Sequence, residues 1–146
     1  MQEKDMANLG NLFLFQLLDN DELQKLLPFF SEKRFGKGVI IFSENAEGDS
    51  MYIIKTGIIR ITKEEKEIAL LNPGDFFGEI ALFEYVRRTA TASAVEESEL
   101  LKIKRASFNE LFRTQPVICA KILYQMMCEM ARRLRKISFP EDFLIF

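Results

Sequence analysis

Residues 72–94 read NPGDFFGEIALFEYVRRTATASA, and the chemistry of the chain is concentrated there. Pro73-Gly74 is a turn signal. It leads into Phe76-Phe77, after which Gly78 frees the backbone just where Glu79-Ile80-Ala81-Leu82-Phe83 can make a single helical turn. Such a turn presents unpaired N–H groups and a positive dipole end, both of which favour an anion. Arg87 and Arg88 follow, and then only small residues, Thr89, Ala90, Thr91, Ala92, Ser93 and Ala94. Small side chains on an extended segment leave room beside it. A cavity edged by free N–H groups, one arginine and one glutamate suits a ligand with both a phosphate and hydroxyls. The guanidinium forks onto phosphate oxygens, and the carboxylate accepts from a sugar hydroxyl.

On either side of this stretch the chain has the grammar of short strands. Val39–Phe42, Met51–Ile54, Ile58–Thr62, Glu67–Leu71, Thr89–Ala94 and Glu99–Ile103 are apolar or β-branched runs bounded by Gly, Pro, Asn or Asp. Glycines stand at the corners, at Gly36, Gly38, Gly48, Gly57, Gly74 and Gly78. Many short strands at this spacing predict an antiparallel roll from about residue 34 to 104 rather than a βαβ sheet. Upstream, Leu14, Leu17, Leu18, Leu23, Leu26 and Leu27 recur at helical spacing, broken where Asp19 and Glu22 form a capping-box pattern. Two short helices are expected there. Downstream, Ser107–Arg113 predicts one helix, with Ser107 at its start, and Pro116 opens a second that runs to about Ile137. Its stripe of Cys119, Ile122, Met126, Met130, Leu134 and Ile137, flanked by Leu123 and Met127, packs either on the roll or on the same helix of a second copy. Residues 138–146 form an apolar tail. The fold class read from this order is α+β, one domain over residues 1–146, with an antiparallel jelly-roll-like β-roll, short N-terminal helices and a long C-terminal helix.

Composition removes several alternatives. The 146 residues contain no His and no Trp, so Ser-His and Cys-His nucleophile pairs and His-rich metal sites are out. No spacing places a nucleophile beside a base, and no metal-ligand pattern occurs, so neither catalysis nor a metal is expected. The net charge of −2 opposes whole-chain attraction to nucleic acid or anionic membrane. No apolar run approaches the roughly 20 residues needed to span a bilayer. Cys119 and Cys128 lie nine residues apart on one helix, on opposite faces, and cannot bridge. Two free thiols and an N-terminus without a signal-peptide pattern predict a cytoplasmic location. The cluster Arg132, Arg133, Arg135 and Lys136 reads as cations stabilising a helix C-terminus.

Taken with the opening helices, the glycine-punctuated run FGKGVIIFSENAEGDSMYIIKTGIIRI and the long closing helix, the stretch PGDFFGEIALFEYVRRTATASA resembles the phosphate-binding cassette of cyclic nucleotide-binding domains. Catabolite activator proteins, cyclic nucleotide-dependent kinases and cyclic nucleotide-gated channels share that cassette. The likeness spans roughly residues 11–137. It implies a receptor for cyclic AMP or cyclic GMP, with cyclic AMP ahead. By position it assigns Glu79 to the ribose 2′-hydroxyl and Arg88, which immediately precedes the Thr-Ala pair, to the cyclic phosphate, leaving Arg87 in solvent. The N–H groups of Gly78, Ile80, Ala81 and Ala90 and the hydroxyl of Thr89 would face the ligand. Phe83-Glu84-Tyr85-Val86-Arg87 departs from the Gly- or Pro-containing loop common in the family, and Glu84 brings a second carboxylate near the anion site.

The resemblance further implies signalling by movement of the C-terminal helix, with Met126, Met127 or Met130 near the purine. The expected partners are the nucleotide, a second copy through residues 116–137 and an unidentified downstream protein. No DNA binding is expected, since only ten residues follow Lys136. The alternative is a degenerate member that keeps the fold as an interaction module, with Glu79 and Arg88 joined in an ion pair.

Overall fold

The computed structural model describes residues 8–136. Eight strands form two four-stranded antiparallel sheets: β1 (Ser31–Phe35), β2 (Ile40–Phe42), β3 (Ser50–Thr56), β4 (Ile59–Lys63), β5 (Lys66–Leu71), β6 (Phe76–Phe77), β7 (Thr91–Ala94) and β8 (Ser98–Lys104). One sheet has the order β1-β8-β3-β6 and the other β2-β7-β4-β5. Helices accompany them among the described residues: α1 (Asn20–Leu26), α2 (Ile80–Phe83), α3 (Arg105–Thr114) and α4 (Pro116–Arg135). The α+β roll with a long closing helix is therefore the observed architecture. None of the helices described is long and apolar enough to cross a membrane.

Strand period two explains where the core sits. In β3, Met51 and Ile53 face the helices while Tyr52 and Ile54 face the second sheet; in β8, Leu101 and Ile103 oppose Leu100 in the same way. Continuous apolar runs in these two strands follow from burial on both faces. The first core cluster joins them to Leu14, Phe15, Leu23, Phe108, Ile118, Ile122 and Met126, and the second fills the space between the sheets with Ile59, Phe77, Ala92 and Ala94.

Several sequence expectations are corrected. Strand β1, Ser-Glu-Lys-Arg-Phe, is exposed except at Phe35 and pairs with β8 alone, so no alternation announced it. The first of the two opening helices is a single 3-10 turn, Phe13–Phe15, whereas α1 carries the expected capping box: the Glu22 N–H donates to Asp19 Oδ1 at 2.8 Å and the Asp19 N–H to Glu22 Oε1 at 3.1 Å. Strand β7 begins at Thr91, not Thr89. Helix α3 begins at Arg105, so Ser107 is inside it. Helix α4 ends at Arg135; Ile137 and the apolar tail lie outside the described residues.

The stripe on α4 also divides differently. Cys119, Ile122 and Met126 are buried, together with Ile118, Gln125 and Glu129, but Met127 and Leu134 are exposed. Two clips hold the inner face: Gln125 Nε2 donates to the Phe13 carbonyl at 2.9 Å, and Lys121 Nζ sits 2.7 Å from Glu22 Oε1.

Candidate functional site

A cavity of about 660 Å³ opens between β4–β5, the segments 77–81 and 86–90, and the last two turns of α4. That size is in the range of small-ligand sites. All seven residues expected to face a ligand line it: Gly78, Glu79, Ile80, Ala81, Arg88, Thr89 and Ala90. Its wall also includes Ile61, Ile68, Leu70 and Leu71, an apolar strip from β4 and β5.

The backbone decides which arginine points inward. Asn45 N–H donates to the Arg88 carbonyl and Arg88 N–H to the Ala46 carbonyl, both at 2.8 Å, and Glu47 pairs with Arg87 as an isolated antiparallel bridge. In such an extended segment successive side chains alternate. Arg88 therefore turns in, only 8% exposed, whereas Arg87 is exposed at the cavity's edge, its Nη1 donating to the Asn45 carbonyl at 2.9 Å.

Arg88 Nη2 donates to the Ser50 carbonyl at 2.7 Å and Nη1 to the Gly78 carbonyl at 3.1 Å. The guanidinium stacks on Phe42, 4.0 Å from the ring centroid. Nε is buried without a partner, and Arg88 takes part in none of the ion pairs among the described residues. Burial pushes its pKa below the usual arginine range. Glycine is required at two neighbours for close approach: a Cβ on Gly48 would lie 2.5 Å from Arg88 Nε, and one on Gly78, whose φ is +79°, would lie 2.7 Å from Nη1.

Glu79 is not paired with Arg88. Its Oε1 lies 3.6 Å from Nη1 of Arg133 on α4. Arg133 in turn donates from Nη2 to the Phe76 carbonyl at 2.6 Å and from Nε to Glu129 Oε2 at 2.9 Å, and its guanidinium lies over the Phe76 ring at 4.5 Å. Arg132 donates to both oxygens of the same carboxylate, from Nε to Oε1 at 2.7 Å and from Nη2 to Oε2 at 2.6 Å. Burial alone would raise the Glu129 pKa, but these two arginines outweigh it and hold the carboxyl below its ordinary value. Arg132 and Arg133 are thus side-chain partners in the site, not merely cations complementing a helix end. The spacing of Glu129 to Arg132 and Arg133, three and four residues, was the available signal.

Other expectations separate as well. Ala81 N–H is directed to the Gly78 carbonyl at 3.3 Å, inside the short turn. Ala92 and Ala94 point into the inter-sheet core rather than the cavity. Glu84 is exposed and does not line the cavity, and neither do Met126, Met127 or Met130; the lining residues are Glu129, Arg132 and Arg133 from α4 and Lys136 at its C-cap. Arg105, just ahead of the helix expected over Ser107–Arg113, donates from Nε to the Ala81 carbonyl at 2.6 Å. Nothing in the local sequence marked that contact.

Comparison with known proteins fits this geometry. The cyclic nucleotide-binding domain family matches residues 32–115. The cyclic AMP receptor protein of Thermus thermophilus is 32% identical over 138 residues, covering 91% of this chain and 62% of its own length, so the chain spans less than two thirds of that relative. The regulatory domain of Toxoplasma gondii PKA, solved with cAMP, superposes with a TM-score of 0.65 at 28% identity over 75% of this chain and 45% of that one. A cyclic nucleotide-binding domain from Methylobacillus flagellatus shares the fold, with a TM-score of 0.84 at 18% identity over 96% of this chain and 88% of that one. The chain belongs to the cyclic nucleotide-binding domain family.

Proposed function

We propose that this domain is a cyclic AMP receptor, with cyclic GMP as the weaker ligand, and not an enzyme. The carrying observation is Arg88: a buried cation without an ion pair, with an unsatisfied Nε, at the wall of a cavity. A buried charge left uncompensated is costly, and an anion that enters beside it relieves that cost. Arg88 takes the cyclic phosphate, Glu79 accepts from the ribose 2′-hydroxyl, and Thr89 with the N–H groups of Gly78, Ile80 and Ala90 completes the polar wall, the Ala81 N–H being held by the Gly78 carbonyl. The apolar strip of Ile61, Ile68 and Leu70 supports the base. The cyclic AMP preference rests on relatives named as a cyclic AMP receptor and a cAMP-dependent kinase regulatory subunit.

Signal output is proposed to leave through Arg133. A ribose hydroxyl that engages Glu79 changes the partner of Arg133, and Arg133 belongs to α4. Opposite the buried face of that helix, Val117, Ala120, Tyr124, Met127, Ala131 and Leu134 recur at alternating steps of three and four and are exposed. This is the spacing of a two-helix seam, and we assign it to a homodimer. Calorimetric titration with cyclic AMP and cyclic GMP, on the parent and on Glu79→Gln, tests the reading. Saturable binding that is tighter for cyclic AMP and weakened by the substitution is expected. No saturable binding at millimolar nucleotide would leave the ligand-free interaction module.

A further inference from the structure

Two guanidinium groups hold the cassette through the same two pieces of chain. Arg88 has one hand on residue 50 and the other on residue 78, through the Ser50 and Gly78 carbonyls. Arg105, the first residue of α3, has one hand on residue 48 and the other on residue 81: Nη2 donates to the Gly48 carbonyl at 2.8 Å and Nε to the Ala81 carbonyl at 2.6 Å. Its own N–H donates to the Asp49 carbonyl at 2.6 Å, so its backbone is fixed to the segment that its side chain grips. Gly48 stands between the two arginines, its carbonyl on Arg105 and its Cα against Arg88. The Arg105 guanidinium is further fixed over the Tyr85 ring at 4.0 Å.

The two grips differ in what a ligand does to them. Arg88 lines the cavity, and a phosphate taking its fork competes with the Ser50 and Gly78 carbonyls for the terminal nitrogens. Arg105 is absent from the lining, so nucleotide cannot reach it directly. Helix α2 has only four residues and cannot hold its own shape, so the junction between residues 48–50 and 78–81 needs a tie that survives ligand entry. We infer that Arg105 is that tie: a positioning residue that keeps Gly78, Glu79 and the α2 turn in place while Arg88 changes partners from carbonyls to phosphate. This role rests on the receptor reading above and extends it to a residue outside the cavity.

A double-mutant cycle reads it. Cyclic AMP affinity is measured by calorimetry on the parent, Arg105→Gln, Arg105→Lys, Arg88→Gln and the Arg88→Gln/Arg105→Gln pair, with melting curves of each protein without nucleotide. Residues in one hydrogen-bond network couple strongly enough that Arg105→Gln is expected to bind about tenfold more weakly at a temperature where it is fully folded. Lysine, a single compact donor group, restores melting temperature more than affinity, because it cannot hold the Gly48 and Ala81 carbonyls in one plane. In the Arg88→Gln background the Arg105 change is expected to weaken binding less than about twofold, since the exchange it supports is gone. Arg105→Gln with parental affinity and a lowered melting temperature would reduce Arg105 to a structural residue and overturn the proposal, and so would full additivity in the pair. A parent that binds no cyclic nucleotide overturns the receptor reading and this role with it; a binding parent beside an equally binding Arg105→Gln overturns only this role.

Discussion

Replacing Arg88 by glutamine separates ligand affinity from stability. In the unliganded protein two hydrogen bonds from a charged donor, roughly 1.5–3 kcal/mol each, are set against several kcal/mol of desolvation for an unpaired buried cation. Arg88 is 8% exposed and donates to the Ser50 and Gly78 carbonyls, so both terms apply at nearly full strength. They largely cancel, and the unliganded melting temperature is expected to move by less than about 4 °C. On the ligand side, losing a two-pronged phosphate contact removes at least about 3 kcal/mol, or about a hundredfold in Kd. At a cyclic AMP concentration of about 100 times the parental Kd, the parent gains about 2.7 kcal/mol, an upward shift of roughly 5–10 °C for a chain of this size. Arg88→Gln at that concentration sits near its own Kd and gains about 0.4 kcal/mol, close to 1 °C. Differential scanning calorimetry with and without nucleotide measures both numbers in one experiment. Equal ligand-induced shifts in parent and variant would refute the assignment of Arg88 to the phosphate.

Three further outcomes follow from the same contacts. Gly57 has φ +99°, and a Cβ there would meet Ser98 Oγ at 2.0 Å and Ser98 Cα at 2.7 Å, whereas Gly74, at φ +94°, has open space. Gly57→Ala should therefore destabilise by more than about 2 kcal/mol and Gly74→Ala by about 1–2, with chemical denaturation giving the order. Glu129 has a folded pKa below its ordinary value of 4.5, so the stability it contributes is present above that value and lost as pH falls through the depressed one. The stability gap between parent and Glu129→Gln should be constant from neutral pH to about 5 and close under stronger acid, as followed by denaturant melts across pH. Met127→Glu places a charge in the exposed seam of α4, 68% exposed in the single chain, and light scattering should show a dimeric parent and a monomeric variant. A monomeric parent would remove the seam.

Legibility varied with the physics behind each signal. The Asp19–Glu22 capping box and the Pro116 helix start were readable because both depend on local backbone geometry. Strand β1 was not, because an exposed edge strand need bury nothing and Ser31–Phe35 is polar throughout except at its end. The choice of Arg88 over Arg87 came from the resemblance; the bridge of residues 45–47 to residues 87–88 accounts for the burial of the one side chain and the exposure of the other. The seven expected site residues meet at one cavity, but Arg133 was read only as a cation at a helix C-terminus, and Glu129 and Arg105 were given no role. Helical periodicity tells which residues share a face of α4, not that this face reaches Phe76 and Glu79.

By itself the sequence determined the antiparallel roll, its turns and the closing helix, since these rest on short-range patterns of apolar period and glycine, and it carried the resemblance that singled out Gly78, Glu79 and Arg88. Only the tertiary structure decided the partners of those charges. Arg88 meets the Ser50 carbonyl, Glu79 meets Arg133 and Arg105 meets Gly48 and Ala81, contacts across 38, 54, 57 and 24 residues of chain that no local pattern encodes. A buried charge takes whatever donor or acceptor the packed chain brings within about 3 Å, so its partner is a property of the fold.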